Sequence, residues 1–186
     1  TRKVFGIPLE IAMKTKREAG NIIPSLVKQT LKELLVRNAQ QTEGLLRISG
    51  NATTMLRFYD AVNQGSDIRL DNLDVHTISG LFKLFFRKLP EPIMTFERFD
   101  AFLDVLKINT LDKKIEEYKR LLSELPDVHQ FTLQHIFSFF GLVASYSDVN
   151  KMTSTNIAIV MAPVLLYCKT NDIFAASRQS SSNEVV

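Results

Sequence analysis

Asp127-Val128-His129-Gln130-Phe131-Thr132-Leu133-Gln134-His135-Ile136-Phe137-Ser138-Phe139-Phe140-Gly141-Leu142-Val143-Ala144-Ser145 is the stretch on which the fold turns. Leu133, Ile136, Phe137, Phe140, Val143 and Ala144 recur at the three- and four-residue steps that bring side chains to one face of a helix. The pattern predicts the longest helix of the chain, from about Asp127 to Ser145, directly after Pro126. The same period recurs on both sides of it. Val27, Leu31, Leu34 and Leu35 follow Pro24, a residue suited to a first helical turn. Met55, Tyr59 and Val62 line a helix that Asn51 caps and Gly65 ends. Ile78, Leu81, Phe85 and Leu89 mark another, with Asp74 as its N-cap and Pro90 and Pro92 as its stop.

Thr95 is a candidate cap for a helix carrying Phe99, Phe102, Leu103 and Leu106. Ile115, Tyr118, Leu121, Leu122 and Leu125 mark the next, which Pro126 closes. Thr153 opens a short helix through Ile157, Val160 and Met161, expected to stop before Pro163. Only Ile157-Ala158-Ile159-Val160 is β-branched enough for a strand, and its capped surroundings favour a helix. The expected fold is therefore all-α, with about seven helices or more in one domain over residues 4–176. The Ser-rich segment 177–186 is expected to be a polar, mobile tail.

Composition narrows the function. The 186 residues are 45% hydrophobic and 23% charged, with thirteen Phe and no Trp, the balance of a globular domain with a sizeable aromatic core. The net charge of +3 and pI near 9.0 permit an acidic partner, but no basic run with interleaved aromatics points to nucleic acid. Cys168 is the single cysteine, which rules out an intrachain disulfide or a cysteine-rich zinc site and suits a reducing, cytoplasmic setting. His76, His129 and His135 lack metal-helix spacing. No apolar run approaches the ~20 residues that cross a bilayer, so direct membrane insertion is not expected. Without an initiating Met or a signal core, the chain reads as excised from something longer.

Glu43-Gly44-Leu45-Leu46-Arg47-Ile48-Ser49-Gly50 sets one permanently charged residue on a turn between apolar runs. Gly44 and Gly50 allow sharp backbone turns on both sides. The guanidinium of Arg47 is planar, always ionised and rich in donors, which suits phosphate oxygens gaining charge. On these residues alone an ordinary surface arginine is the favoured reading. Lys83 and Arg87 lie one helical turn apart amid Leu81, Phe82, Leu84, Phe85 and Phe86. They fit either snorkelling at the edge of the core or a basic strip that holds the Arg47 loop or meets an acidic partner.

Three blocks in order then resemble one family: Glu43–Gly50, Leu81-Phe82-Lys83-Leu84-Phe85-Phe86-Arg87-Lys88-Leu89-Pro90-Glu91-Pro92, and Asn150-Lys151-Met152-Thr153-Ser154-Thr155-Asn156-Ile157-Ala158-Ile159-Val160. Together with the opening Val4-Phe5-Gly6-Ile7-Pro8-Leu9, they are similar to Rho-family GTPase-activating (RhoGAP) domains from Val4 to about Leu166. The resemblance implies an all-helical fold whose loop arginine enters the nucleotide site of a GTP-bound Rho- or Rac-type small GTPase. It makes Arg47 the arginine finger, and Lys83 and Arg87 the pair that supports the finger loop and touches the GTPase. Gly44 and Ser49 flank the finger. Asn156 and Pro90 match recurrent positions of structural role.

The resemblance also implies an activator, not an enzyme in its own right. The chain has neither a G-x-x-x-x-G-K-[ST] phosphate loop nor a G-x-G-x-x-G turn, so GTP, Mg²⁺ and the attacking water are expected from the partner. One position departs from the family. Where it usually carries Asn in Gly-Pro-Asn, this chain reads Ala162-Pro163-Val164, and Val164 makes no polar contact with a partner. That departure motivates an alternative, a catalytically weak module that binds a GTPase as effector or scaffold. A structural domain for lipid surfaces is a third reading, which no long basic amphipathic helix supports.

Overall fold

The computed structural model describes residues 3–169. Among these residues it is all helical, without strands: α1 (Leu9–Ala12), α2 (Ser25–Val36), α3 (Ala52–Asn63), α4 (Val75–Arg87), α5 (Phe99–Asp104), α6 (Leu111–Ser123), α7 (Asp127–Ser145), α8 (Ser147–Asn150) and α9 (Ser154–Leu165), with three short 3₁₀ turns. The tail expected over 177–186, and the end of the domain expected at 176, lie outside the described residues.

Local chemistry sets most boundaries. The side chains of Asn51, Asp74 and Thr153 accept from the backbone N–H of Thr54 (2.9 Å), Thr77 (2.9 Å) and Asn156 (3.2 Å), capping α3, α4 and α9. Two expectations need correction. Thr95 caps nothing: it turns with φ of +61°, its N–H bonds to Pro92 O at 2.8 Å, and α5 begins only at Phe99. Pro163 does not stop α9, which runs through it to Leu165. The burial of Met161, Ala162, Val164 and Leu165 rewards continuing the helix. Pro163 sits on the exposed face near Ile159, so the Ile159 carbonyl it leaves unbonded can be solvated.

The apolar face of α4 forms the middle of the molecule, packed against α2, α3 and α9. Phe86 meets Phe82 and Phe85 edge-on, each at 5.2 Å between ring centres, and Phe5 from the N-terminal segment closes on Phe85 at 6.1 Å. This ring cluster makes α4 a rigid post. What hangs from it includes the Arg47 loop.

Candidate functional site: the Arg47 loop

The chain leaves α2, passes a 3₁₀ turn (Ala39–Gln41) and enters the loop at Gly44. Leu45 and Leu46 are wholly buried, so the loop is anchored in the core immediately before Arg47. Gly44 has φ of +65°, and its carbonyl accepts from both Arg47 N (2.9 Å) and Ile48 N (2.8 Å), a tight turn that carries Arg47 outward. A Cβ on Gly44 would meet Ile48 Cδ1 at 2.6 Å and Arg47 Nη2 at 3.4 Å, so the arginine head lies back over this glycine. Leu46 also occupies the left-handed region, at φ of +71°, which costs a non-glycine residue about 1–3 kcal/mol. Such a conformation persists where its surroundings over-determine it.

Three contacts supply that constraint. At the start, Gly44 N donates to Asn150 O at 2.8 Å. In the middle, the Lys83 ammonium on α4 donates to Leu46 O. At the end, Asn51 N donates to Thr77 Oγ1 at 3.0 Å, and that hydroxyl donates to Asp74 Oδ2 at 2.5 Å. The Thr77 hydroxyl bond holds the Asp74 carboxyl below the usual carboxylate range. Gly50 is pressed against α4 so closely that a Cβ would lie 2.3 Å from Thr77 Cα. Gly50→Ala is therefore expected to cost about 1–3 kcal/mol or more in a urea melt, because backbone must move to admit one methyl.

Lys83 is 7% exposed, and no carboxylate ion-pairs with it among the described residues. Burial, and secondarily the Arg87 charge, push its ammonium below the ordinary lysine value of 10.5. The unfolded chain then holds this proton more tightly than the folded one, so the stability due to this group rises with pH until the unfolded lysine has also titrated. The free-energy difference between the native protein and Lys83→Met is expected to move in favour of the native protein as pH rises toward the ordinary lysine value. Denaturant melts across that range test it.

Arg47 itself is exposed, and its guanidinium makes no hydrogen bond or ion pair among the described residues. Ile48 and Ser49 are exposed next in the chain; at the end of α4, Arg87, one turn beyond Lys83, and Lys88, whose ammonium lies 5.6 Å from the Tyr59 ring centre, are exposed as well. The loop thus offers an uncommitted fork of donors on a fixed base, and exposed Arg87 lies one helical turn from its Lys83 anchor. No group of three or more metal-ligating His, Cys, Asp or Glu side chains occurs among the described residues, and no helix there is long and apolar enough to cross a membrane.

The other sequence candidates divide. Asn156 Nδ2 donates to Lys151 O at 3.0 Å, bracing the left-handed Lys151 (φ of +60°) ahead of α9. Pro90 is exposed just past the end of α4. Val164, where the family's Asn would be expected to meet the GTPase, is wholly buried, so its methyls fill the core and present nothing to a docked surface. Sequence reasoning assigned no role to Asn150 or Thr77. Asn150 is a wholly buried hub whose Nδ2 donates to Gln40 O and Val143 O, each at 2.7 Å, and whose Oδ1 accepts from Met152 N at 2.6 Å. The available signal was an amide isolated between the longest apolar helix and a capped one.

Comparison with known proteins points the same way as this geometry. The RhoGAP domain family matches residues 24–170. The chain is 37% identical over 178 residues to the Rho GTPase-activating protein gacY of Dictyostelium discoideum, a match covering 95% of the chain and 24% of that protein. It is 34% identical over 173 residues to Rho GTPase-activating protein 24 of Homo sapiens, covering 91% of the chain and 23% of that protein. The crystal structure of human Rho GTPase activating protein 15 superposes with a TM-score of 0.89 at 27% identity, over 99% of this chain and 87% of that one. The chain spans about a quarter of the length of the two curated relatives. With a family match over residues 24–170 and relatives aligned almost from end to end, this chain belongs to the RhoGAP domain family.

Proposed function

We propose that this domain stimulates GTP hydrolysis by a Rho- or Rac-type small GTPase in its GTP-bound state, and that Arg47 enters the partner's active centre as the arginine finger. The observation that carries the reading is the pairing of an unengaged, exposed guanidinium with a backbone held at Asn150, Lys83 and Thr77. During hydrolysis, charge spreads over the phosphoryl oxygens, and a donor fixed there before reaction lowers the barrier without reorganising at the moment of transfer. An arginine supplied in trans is worth about 10³–10⁵ in rate. GTP, Mg²⁺ and the attacking water belong to the partner, and the domain works in the cytoplasm without inserting into a membrane.

Arg87 and Lys88 fit the role of outer contacts, attracting an acidic surface and raising the association rate. Val164 tempers affinity, since a buried valine supplies none of the hydrogen bonding that an Asn would. Single-turnover hydrolysis by Rho- and Rac-type GTPases, with and without the domain, tests the reading. Faster hydrolysis by at least one of them is expected. GTP-dependent binding at an unchanged hydrolysis rate would instead establish the effector or scaffold role.

A further inference from the structure

Away from the Arg47 loop, α2 and α7 leave an open groove of about 720 Å³ between them. On α2 the wall runs from Lys28 through Leu31, Lys32 and Leu35 to Val36, and on α7 from Gln134 to Leu142. Both are three- and four-residue stripes, so each wall is a single helix face about 12 Å long at 1.5 Å rise per residue. The lining is apolar, and much of it is bare. Ile22 is 60% exposed, Leu35 44% and Val36 68%. Aliphatic side chains gathered at this exposure around one concavity mark an interaction site more often than a random surface.

The charge at the rim has one sign. Lys28 and Lys32 stand a turn apart, and no carboxylate lines the groove. The acidic residue on this part of α2, Glu33, is occupied elsewhere by Arg37, with Nε to Oε1 at 2.7 Å. Lys28 Nζ is bonded to the neutral Asn21 amide oxygen at 3.2 Å, and Lys32 has no ion pair among the described residues. Among the described residues, no carboxylate pairs with either lysine.

The shape selects the occupant. A valley between two helices receives a third at the usual interaxial distance of about 8–10 Å. No strand among the described residues offers an edge for an extended peptide. A flat bilayer meets the lysines but leaves the recessed wall uncovered. We infer that the α2–α7 groove docks an amphipathic α-helix of a partner protein, its apolar stripe seated on Leu35, Val36 and Ile22 and its flanking carboxylates on Lys28 and Lys32.

The test uses the whole chain and two synthetic helices of about 14 residues, with Leu at i, i+3, i+4 and i+7 and either Glu or Lys elsewhere. In calorimetric titration the Glu helix is expected to bind with a Kd of about 10–100 μM, a weak docking contact, and to weaken as salt is added. Lys28→Glu with Lys32→Glu is expected to cost about tenfold or more, and Val36→Asp as much. These are exposed positions outside the Arg47 machinery, so circular dichroism and stimulated GTP hydrolysis should stay at native levels. Equal affinity for the Lys helix, or indifference to Val36→Asp, overturns the proposal. So does binding to phosphatidylserine vesicles in place of the Glu helix. Self-association in the ultracentrifuge that Val36→Asp abolishes would assign the groove to a second copy and likewise overturn it.

Discussion

Arg47→Ala is expected to reduce stimulated GTP hydrolysis by about 10³-fold or more while leaving fold and partner binding nearly intact. The fold expectation follows from what Arg47 contributes locally. Its backbone N–H bonds to Gly44 O at 2.9 Å, which any residue but proline supplies, and its exposed guanidinium bonds nothing among the described residues. Melting temperature should therefore hardly change. The rate expectation follows from the chemistry asked of one group: 10³–10⁵ in rate corresponds to about 4–7 kcal/mol of transition-state stabilisation. Such a value is reached only where a donor acts on developing charge in a site closed to water.

Arg47→Lys should recover little of that rate. A lysine ammonium carries the charge but lacks the planar fork that reaches two oxygens together. Single-turnover rates at saturating domain, alongside affinity for the GTP-loaded partner, separate chemistry from docking. A loss below about tenfold, with binding preserved, would remove Arg47 from the reacting centre, given the size expected of a trans arginine.

Much of this could be read before any coordinates, and the reasons are local. Asn51, Asp74 and Thr153 are short polar side chains placed just before apolar periods, and each closes its cap on a backbone N–H three residues ahead. The bounds of α7 follow from Pro126 and an unbroken helical period. Where reading failed, a distant contact decided. Thr95 looks like a cap, but the segment before it is tied across the molecule by Met94 N to Leu165 O at 3.2 Å, and α5 waits until that constraint is passed. Pro163 looks like a stop, yet core burial on both sides carries α9 through it.

The site was legible in part for the same reason. Arg47 and its two glycines stand out because charge and turn residues interrupt an apolar run. Lys83 allowed two roles, and the choice between them lay in the Leu46 carbonyl, a main-chain atom that no side-chain pattern advertises. The left-handed backbone at Leu46 was equally silent, since leucine carries no turn signal. Residues that act through the backbone of others leave little trace in a sequence.

Asn150 is the strongest such case, and Asn150→Ala is expected to cost about 2–6 kcal/mol of stability, since each of two buried groups left unbonded costs about 1–3 kcal/mol. The substitution orphans Gln40 O and Met152 N and takes one of two donors from Val143 O, which also accepts from Tyr146 N at 3.1 Å. Asn150→Asp keeps the shape and the acceptor but brings a carboxylate against two carbonyls, so it should be no milder in urea melts. The functional consequence runs through geometry. Asn150 O receives Gly44 N, the first tie of the Arg47 loop, so loosening the hub lets the whole turn drift. At a temperature where circular dichroism shows the variant folded, the single-turnover rate is expected to fall by about tenfold to 10²-fold, because a displacement of about 1 Å in a catalytic group is worth that much. A double-mutant cycle distinguishes positioning from general damage. If the loss is transmitted through the finger, Asn150→Ala should cost almost nothing further in rate once Arg47 is already alanine. Full additivity of the two losses would mean that Asn150 supports the fold alone and takes no part in aiming Arg47.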